Sequence, residues 1–154
     1  MADWRERFLK LADEVASWSK DKSSKVGAII TDADNRVVSV GYNGFPRKAN
    51  DDVPERHERP LKYKWTEHAE RNAIYNAAKI GVSTNNCIMY LRWFPCTDCA
   101  RAIIQSGITD LVCSIPDFKD ERWGEDFKIS FEMLKECGIN LRYDGIVTTD
   151  MFGE

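Results

Sequence analysis

Two cysteines lie three positions apart in the segment "FPCTDCA", residues 94–100, just after a proline and just before an apolar stretch. Two thiols at this spacing are half of a metal site or half of a redox pair. A metal site needs a further ligand, and the chain offers only two histidines and three other cysteines. The fold must therefore bring Cys96 and Cys99 to one of these few side chains if they are to bind a metal.

The candidates for the third ligand differ in their surroundings. Catalytic zinc takes about three protein ligands and keeps a fourth position for water. Cys87 and Cys113 lie in apolar, strand-like segments, and Cys137 ends an amphipathic helical pattern, so buried structural thiols are favoured for all three. His57 lies in a charged segment with no neighbouring ligand type, whereas His68 opens a helical segment.

His68 and Glu70 are two positions apart, and residues at this spacing do not share a face of a continuous helix. Both can face one point only at the start of the helix, where His68 is at or near the cap. The same holds for Cys96 and Cys99, at the start of the helix that follows Pro95. The spacing thus predicts two helix N-termini meeting at one metal, where their positive ends favour thiolates.

Length and charge limit the class of protein. The chain has 154 residues, of which 43% are hydrophobic, and we expect one domain over residues 1–154. Its net charge is -3, which favours no polynucleotide partner. The N-terminal segment "MADWRERFLK" lacks the apolar run of a signal peptide, and no stretch approaches the ~20 apolar residues of a membrane span. We therefore expect a cytoplasmic protein with no membrane partner.

The first half of the chain predicts a helix, a hairpin and a long loop. The helix is predicted from an apolar stripe at steps of four and three, formed by Trp4, Phe8, Leu11, Val15 and Trp18. Strands near 25–31 and 36–42 are joined by the turn-favouring segment "TDADN". Residues from about 44 to 66, rich in proline and charge, predict a long connecting loop.

The second half alternates helix and strand, and glycines at positions 81, 107 and 138 end its three helices. The complete predicted order is α-β-β-α-β-α-β-α-β. Helix–strand alternation implies parallel strands joined by crossovers, and the hairpin adds an antiparallel pair. We expect an α/β protein: a three-layer α/β/α domain with a mixed five-stranded sheet.

The segments "HAE" and "PCTDC" together match the H-x-E…P-C-x-x-C signature of zinc nucleobase deaminases. With "VGAII", "GYNGFP" and "HAERNAIYNAA", the chain resembles the deoxycytidylate (dCMP) deaminase family, closely over roughly residues 20–113. The order of elements also fits the cytidine deaminase fold. The resemblance implies zinc-dependent hydrolytic deamination of dCMP to dUMP and ammonia, which supplies dUMP for thymidylate synthesis.

The resemblance assigns the catalytic centre. It implies that His68, Cys96 and Cys99 bind one catalytic Zn²⁺ per chain and that Glu70 is the proton shuttle. Glu70 would take a proton from the attacking water, deliver it to ring nitrogen 3 of cytosine and later protonate the departing amine.

The resemblance also assigns substrate contacts. Asn43 would contact the sugar. Ser24 lies near the substrate phosphate, at a place where many relatives carry Arg, so the chain departs from the family there. Phe118 falls near an aromatic residue that lines the family's substrate site, or it anchors its own loop.

The resemblance implies a homo-oligomer, since members of the family are typically hexamers. It also implies that dCTP activates and dTTP inhibits the enzyme, with Mg²⁺ accompanying the triphosphate. Tyr42, Gly44 and Asn72 match motif positions near that regulatory site. The turn "GYNG", residues 41–44, is expected to offer backbone N–H groups to an anion. Some members hold a second, structural zinc before "HAE", and we expect none here, since residues 44–66 contain His57 but no cysteine.

The loop before the "HAE" segment has an excess of cations, which we expect to attract the regulatory triphosphate. They are Arg47, Lys48, Arg56, Arg59, Lys62 and Lys64.

Two alternative functions remain open. A tRNA adenosine or guanine deaminase shares both zinc motifs, although the overall charge and the tail "VTTDMFGE" disfavour a polynucleotide. A non-catalytic, zinc-stabilised binding module is the other, but such a site gains nothing from the non-ligand carboxylate of Glu70 and would use a fourth protein ligand.

Overall fold

The helices and strands follow the predicted order, with two short helical segments added between the hairpin and the "HAE" helix. The structure is a computed structural model that describes residues 3–148. The helices are α1 Trp4–Ala16, α2 Lys62–Trp65, α3 Ala69–Ile80, α4 Thr97–Gln105 and α5 Gly124–Glu136, with a 3-10 helix at Pro54–His57. The strands are β1 Gly27–Thr31, β2 Val37–Tyr42, β3 Ile88–Leu91, β4 Asp110–Ile115 and β5 Asn140–Val147.

The five strands form one mixed sheet in the order β2-β1-β3-β4-β5. Strand β1 is antiparallel to both β2 and β3, whereas β3, β4 and β5 are parallel. The predicted hairpin is confirmed, and Asn35 adopts the left-handed conformation (φ 62°) that its tight turn requires. The predicted mixed five-stranded sheet is also confirmed.

The sheet has helices on both faces because successive strand residues point to opposite sides. Ile29 of β1 packs in a cluster with Phe8 and Leu9 of α1. Its neighbours Ala28 and Ile30 belong to the larger core on the other face, which includes residues of α3, α4 and α5. This arrangement confirms the predicted three-layer α/β/α domain.

Helix α3 lies directly on the hairpin because two small residues meet there. A Cβ atom added to Gly41 of β2 would lie 2.3 Å from the backbone nitrogen of Ala73 and 2.6 Å from the carbonyl oxygen of Ala69. No side chain fits between the two backbones. This contact sets the position of the first turn of α3, which carries Glu70.

The apolar stripe predicted for the first helix was partly wrong. Helix α1 ends at Ala16, so Trp18 lies beyond it and is 49% exposed. Trp4 is 46% exposed, and the buried face consists of Phe8, Leu9, Ala12 and Val15. The face is rotated toward Ala12 because that small residue lets α1 approach Gly27, where an added Cβ would lie 2.3 Å from the carbonyl oxygen of Ala12.

The loop predicted at about 44–66 is ordered by an aromatic cluster of its own. The ring of Phe45 stacks on His57 at 4.7 Å and lies 6.0 Å from the ring of Trp65. The guanidinium of Arg56 lies 3.8 Å above the Trp65 ring and donates a hydrogen bond to the carbonyl oxygen of Asn50. The cluster holds the chain that leads into α3.

Within residues 3–148, no helix has both the length and the apolar character that crossing a membrane requires. Most of the tail segment "VTTDMFGE", whose composition disfavours a polynucleotide partner, lies outside the described residues.

Candidate functional site

The starts of two helices meet at the predicted metal centre. His68 is the N-cap of α3 and Cys96 is the N-cap of α4, and both have extended backbones (ψ 153° and 172°). Neither side chain caps its own helix. The two side chains are therefore available as ligands, and Cys99 joins them from the first turn of α4.

The three predicted ligands have the spacing that zinc requires. The Nδ1 atom of His68 lies 3.5 Å from Sγ of Cys96 and 3.4 Å from Sγ of Cys99. Tetrahedral zinc, with bonds of about 2.3 Å to sulfur and 2.0–2.1 Å to nitrogen, puts nitrogen and sulfur about 3.6 Å apart. Among residues 3–148, these are the side chains of the His, Cys, Asp and Glu types that cluster tightly enough to hold a metal ion.

A hydrogen bond between the two thiols shifts their pKa values in opposite directions. Cys99 donates to the sulfur of Cys96, which lowers the pKa of Cys96 to about 5 against the effect of burial. The same hydrogen bond, together with burial, raises the pKa of Cys99 well above its ordinary value. Burial lowers the pKa of His68, but its hydrogen bond with Cys96 and the charge of Glu70 raise that pKa overall. The lowered pKa of Cys96 favours its thiolate, which is the form that binds zinc.

Glu70 is buried beside the ligands in the first turn of α3. Burial raises its pKa, and the nearby His68 opposes that shift. A carboxyl group with a raised pKa exchanges protons more readily near neutral pH than an exposed one. Glu70 therefore has the placement of a general acid–base, and its pKa is shifted in the direction that this role requires.

His68 and Glu70 line a cavity of about 100 Å³ that also receives two of the predicted substrate residues, Asn43 and Ser24. The side-chain amide of Asn43 donates to the carbonyl oxygen of Ser24 at 2.8 Å and accepts from the backbone N–H of Val26 at 2.9 Å. Asn43 therefore also shapes the wall of the cavity.

Phe118 does not line this cavity. Its ring packs edge-on against Phe131 of α5, with centroids 5.6 Å apart. The aromatic rings in the cavity lining are instead those of Trp93, Trp123 and Tyr63.

Three cations also line the cavity: Arg59, Lys62 and Arg122. The Nζ atom of Lys62 is buried and lies 3.4 Å from the carboxylate oxygens of Asp21, which is also part of the lining. Sequence reasoning placed Arg59 and Lys62 beside a regulatory triphosphate and missed Arg122. The proximity of Arg59 and Lys62 to His68 in the sequence was a signal that could have placed them in this cavity. Helix α2, at residues 62–65, brings them to the start of α3.

The predicted regulatory residues Tyr42, Gly44 and Asn72 come together in a second cavity of about 300 Å³. The side chain of Asn72 donates to the carbonyl oxygen of Tyr42 at 2.8 Å. The expected free N–H groups of the turn are engaged, because Gly44 donates to Glu67 and Asn43 donates to Val26 through their backbones. The cation in this lining is Arg47, accompanied by the carboxylate of Glu67.

Comparison with known proteins agrees with this geometry. Residues 2–115 match the family model described as "Cytidine and deoxycytidylate deaminase zinc-binding region". The chain is 41% identical to "Uncharacterized deaminase in luxG 3'region" of Aliivibrio fischeri, over 93% of this chain and 95% of that protein. It is 38% identical to the deoxycytidylate deaminase of Homo sapiens, over 91% and 79% of the two chains.

A solved structure shares the fold. The dCMP deaminase of cyanophage S-TIM5, in complex with dCMP and dUMP, superposes with a TM-score of 0.72. The two sequences are 23% identical, and the match covers 90% of this chain and 95% of that one.

Proposed function

The chain belongs to the cytidine and deoxycytidylate deaminase family, and on that basis we propose that it is a zinc-dependent enzyme that hydrolyses dCMP to dUMP and ammonia. The observation that carries the proposal is the burial of Glu70 in one cavity with His68, next to the two cysteines that complete a zinc-type ligand set. A non-ligand carboxylate in this position serves proton transfer.

His68, Cys96 and Cys99 would hold the zinc, which when bound acts as a Lewis acid that makes water nucleophilic near neutral pH. Glu70 takes a proton from the water as the new C–O bond forms at carbon 4, and it passes that proton to ring nitrogen 3. It then takes the remaining proton and gives it to the amino group as the C–N bond breaks and ammonia leaves. The buried setting of Glu70 shields these transfers from bulk water.

Arg59, Lys62 and Arg122 support a nucleotide rather than a nucleoside as the substrate. Cations form strong, charge-assisted hydrogen bonds with phosphate oxygens. By the family resemblance, Ser24 stands where many relatives carry arginine. Arg59 and Arg122 add positive charge to the same cavity, where Lys62 is paired with Asp21. Asn43 would contact the sugar, and the rings of Trp93 and Trp123 offer flat surfaces for a pyrimidine.

Regulation is part of the proposal: dCTP, with Mg²⁺, activates and dTTP inhibits through the second cavity, at Tyr42, Gly44 and Asn72. The support is that Asn72 belongs to α3, the helix whose first turn carries Glu70. Because the N–H groups of Asn43 and Gly44 are engaged, the triphosphate relies on Arg47 and on polar side chains. The protein would act as a cytoplasmic homo-oligomer, a hexamer, and supply dUMP for thymidylate synthesis.

An assay across five substrates tests the proposal: dCMP, deoxycytidine, dCTP, guanine and an RNA containing adenosine. We expect the largest kcat/KM for dCMP. Elemental analysis of the same preparation should give about one zinc per chain, since there are three ligands. Faster turnover of guanine or of RNA adenosine would assign a different activity, and two zinc ions per chain would contradict the single site.

A further inference from the structure

Both metal-bearing helices lack an ordinary N-terminal cap. An N-cap side chain normally accepts a hydrogen bond from the first turn, where the backbone N–H groups have no partner within the helix. His68 and Cys96 occupy the N-cap positions of α3 and α4, and neither has a side-chain oxygen that could act as an ordinary cap. The first backbone N–H of α4 has a partner outside the helix.

In α4 that partner comes from α5. The backbone N–H of Thr97 donates to Oδ2 of Asp126 at 2.9 Å, and the Thr97 hydroxyl donates to Oδ1 of the same carboxylate at 2.9 Å. Thr97 lies between Cys96 and Cys99 in the sequence. A carboxylate at this position is also favoured by the positive end of the helix.

A second contact from α5 lies on the other side of Cys96. The buried hydroxyl of Ser130 donates to the carbonyl oxygen of Pro95 at 2.8 Å. Asp126 and Ser130 are four residues apart on α5 and thus lie on one face of it. Helix α5 therefore holds the chain immediately before and immediately after Cys96.

We propose that Asp126 is a positioning residue for the metal centre, which accepts the first backbone N–H of α4 and fixes the turn that presents both cysteines. This inference rests on the proposed function, in which His68, Cys96 and Cys99 hold zinc. Two hydrogen bonds from Thr97 to one carboxylate fix the rotation of the turn as well as its place. Neighbours that orient metal ligands typically change metal affinity ~10–100-fold when they are removed.

The test measures zinc release from the purified holoprotein to a chromogenic chelator, and the visible spectrum of the cobalt-substituted protein. We expect Asp126→Ala to weaken zinc binding ~10–100-fold and to shift the cobalt bands, because the thiolates are no longer held in place. Thr97→Val, which keeps the backbone hydrogen bond, should show a smaller effect. Thr97→Ser, which keeps the hydroxyl, should retain wild-type zinc release and cobalt bands.

The matched control is Glu125→Gln, which removes an exposed carboxylate one position away that pairs only with Lys128 among the ion pairs of the described residues. This variant should retain wild-type zinc release. Comparing the melting temperatures of apo and holo forms separates positioning from general stability. Positioning predicts that Asp126→Ala lowers the holo value more than the apo value.

Equal zinc release and equal cobalt spectra for Asp126→Ala and Glu125→Gln would overturn the inference. If Asp126→Ala does not fold, Asp126→Asn and Thr97→Val decide the matter, and wild-type zinc affinity in both would overturn it. A wild-type protein that binds no stoichiometric zinc would instead refute the proposed function.

Discussion

Glu70 is the residue on which the proposed chemistry depends most directly. It is 2% exposed, burial raises its pKa, and it lies in the first turn of the helix that follows His68. A buried carboxyl group without a catalytic or structural partner would destabilise the fold. The proposed proton transfer gives a buried carboxyl group at this place a function.

Glu70→Gln should keep the fold and about one zinc per chain but lose deamination. The amide fits the same space but cannot carry the proton, and loss of a general acid–base typically costs ~10²–10⁴-fold in kcat. Steady-state kinetics with dCMP and metal analysis would measure both effects. Glu136→Gln, an exposed change on α5, serves as the control. Turnover near the wild-type rate would refute the role of Glu70.

Arg59→Ala should lower kcat/KM for dCMP by ~10-fold or more, through the lost charge-assisted hydrogen bond to phosphate. Activity toward deoxycytidine, which has no phosphate, should change little. The ratio of the two values is therefore the measurement. Lys64→Ala removes an exposed cation of the same segment that does not line the cavity, and it should leave the ratio unchanged. An equal loss with both substrates would show that Arg59 does not bind phosphate.

At the scale of elements, the N-cap positions of α3 and α4 explain why the metal ligands could be predicted. His68, Cys96 and Cys99 each lie within one turn of a helix start that the sequence marks, so local spacing determines where their side chains point. The cations that line the cavity beside Glu70 could not be predicted in this way. Arg59 and Lys62 reach it through the folding of their segment, which includes the contact of Phe45 with Trp65 and the ion pair of Lys62 with Asp21.

Phe45→Ala should loosen the segment from residue 44 to 66 while leaving zinc bound. The Phe45 ring contacts His57 and Trp65, and such aromatic pairs contribute about 0.5–1.5 kcal/mol beyond the area they bury. We expect faster tryptic cleavage within this segment and a raised KM for dCMP. Leu61→Ala, an exposed change in the same segment, should show neither effect. Unchanged proteolysis would show that the cluster does not hold the segment.

At the scale of the whole molecule, the sequence predicted the order of elements, the mixed sheet and the three layers. These follow from patterns that repeat over many residues: alternation of helix and strand, and apolar periodicity. The position of Phe118 and the buried face of α1 were harder to predict. Both depend on a packing partner elsewhere in the chain. Phe118 packs against Phe131, and α1 packs against Gly27.

The proposed regulation couples the two cavities through α3. Activity toward sub-saturating dCMP should rise with dCTP and fall with dTTP in the presence of magnesium, with coupling of ~1–3 kcal/mol. Asn72→Ala should blunt both effects and keep zinc bound, because it removes a side chain that lines the second cavity. Gln105→Ala, an exposed amide change on α4, is the control. Hyperbolic kinetics that neither triphosphate alters would refute the regulatory proposal.

Position 41 of the hairpin has no room for any residue larger than glycine. Even alanine there would press a methyl group against the backbone of α3 at Ala69 and Ala73, and overpacking of this kind typically costs ~1–3 kcal/mol. The clash falls on the helix that follows His68 and carries Glu70 in its first turn. A substitution at Gly41 is therefore expected to displace this helix and lower activity without changing any residue that lines the cavity beside Glu70.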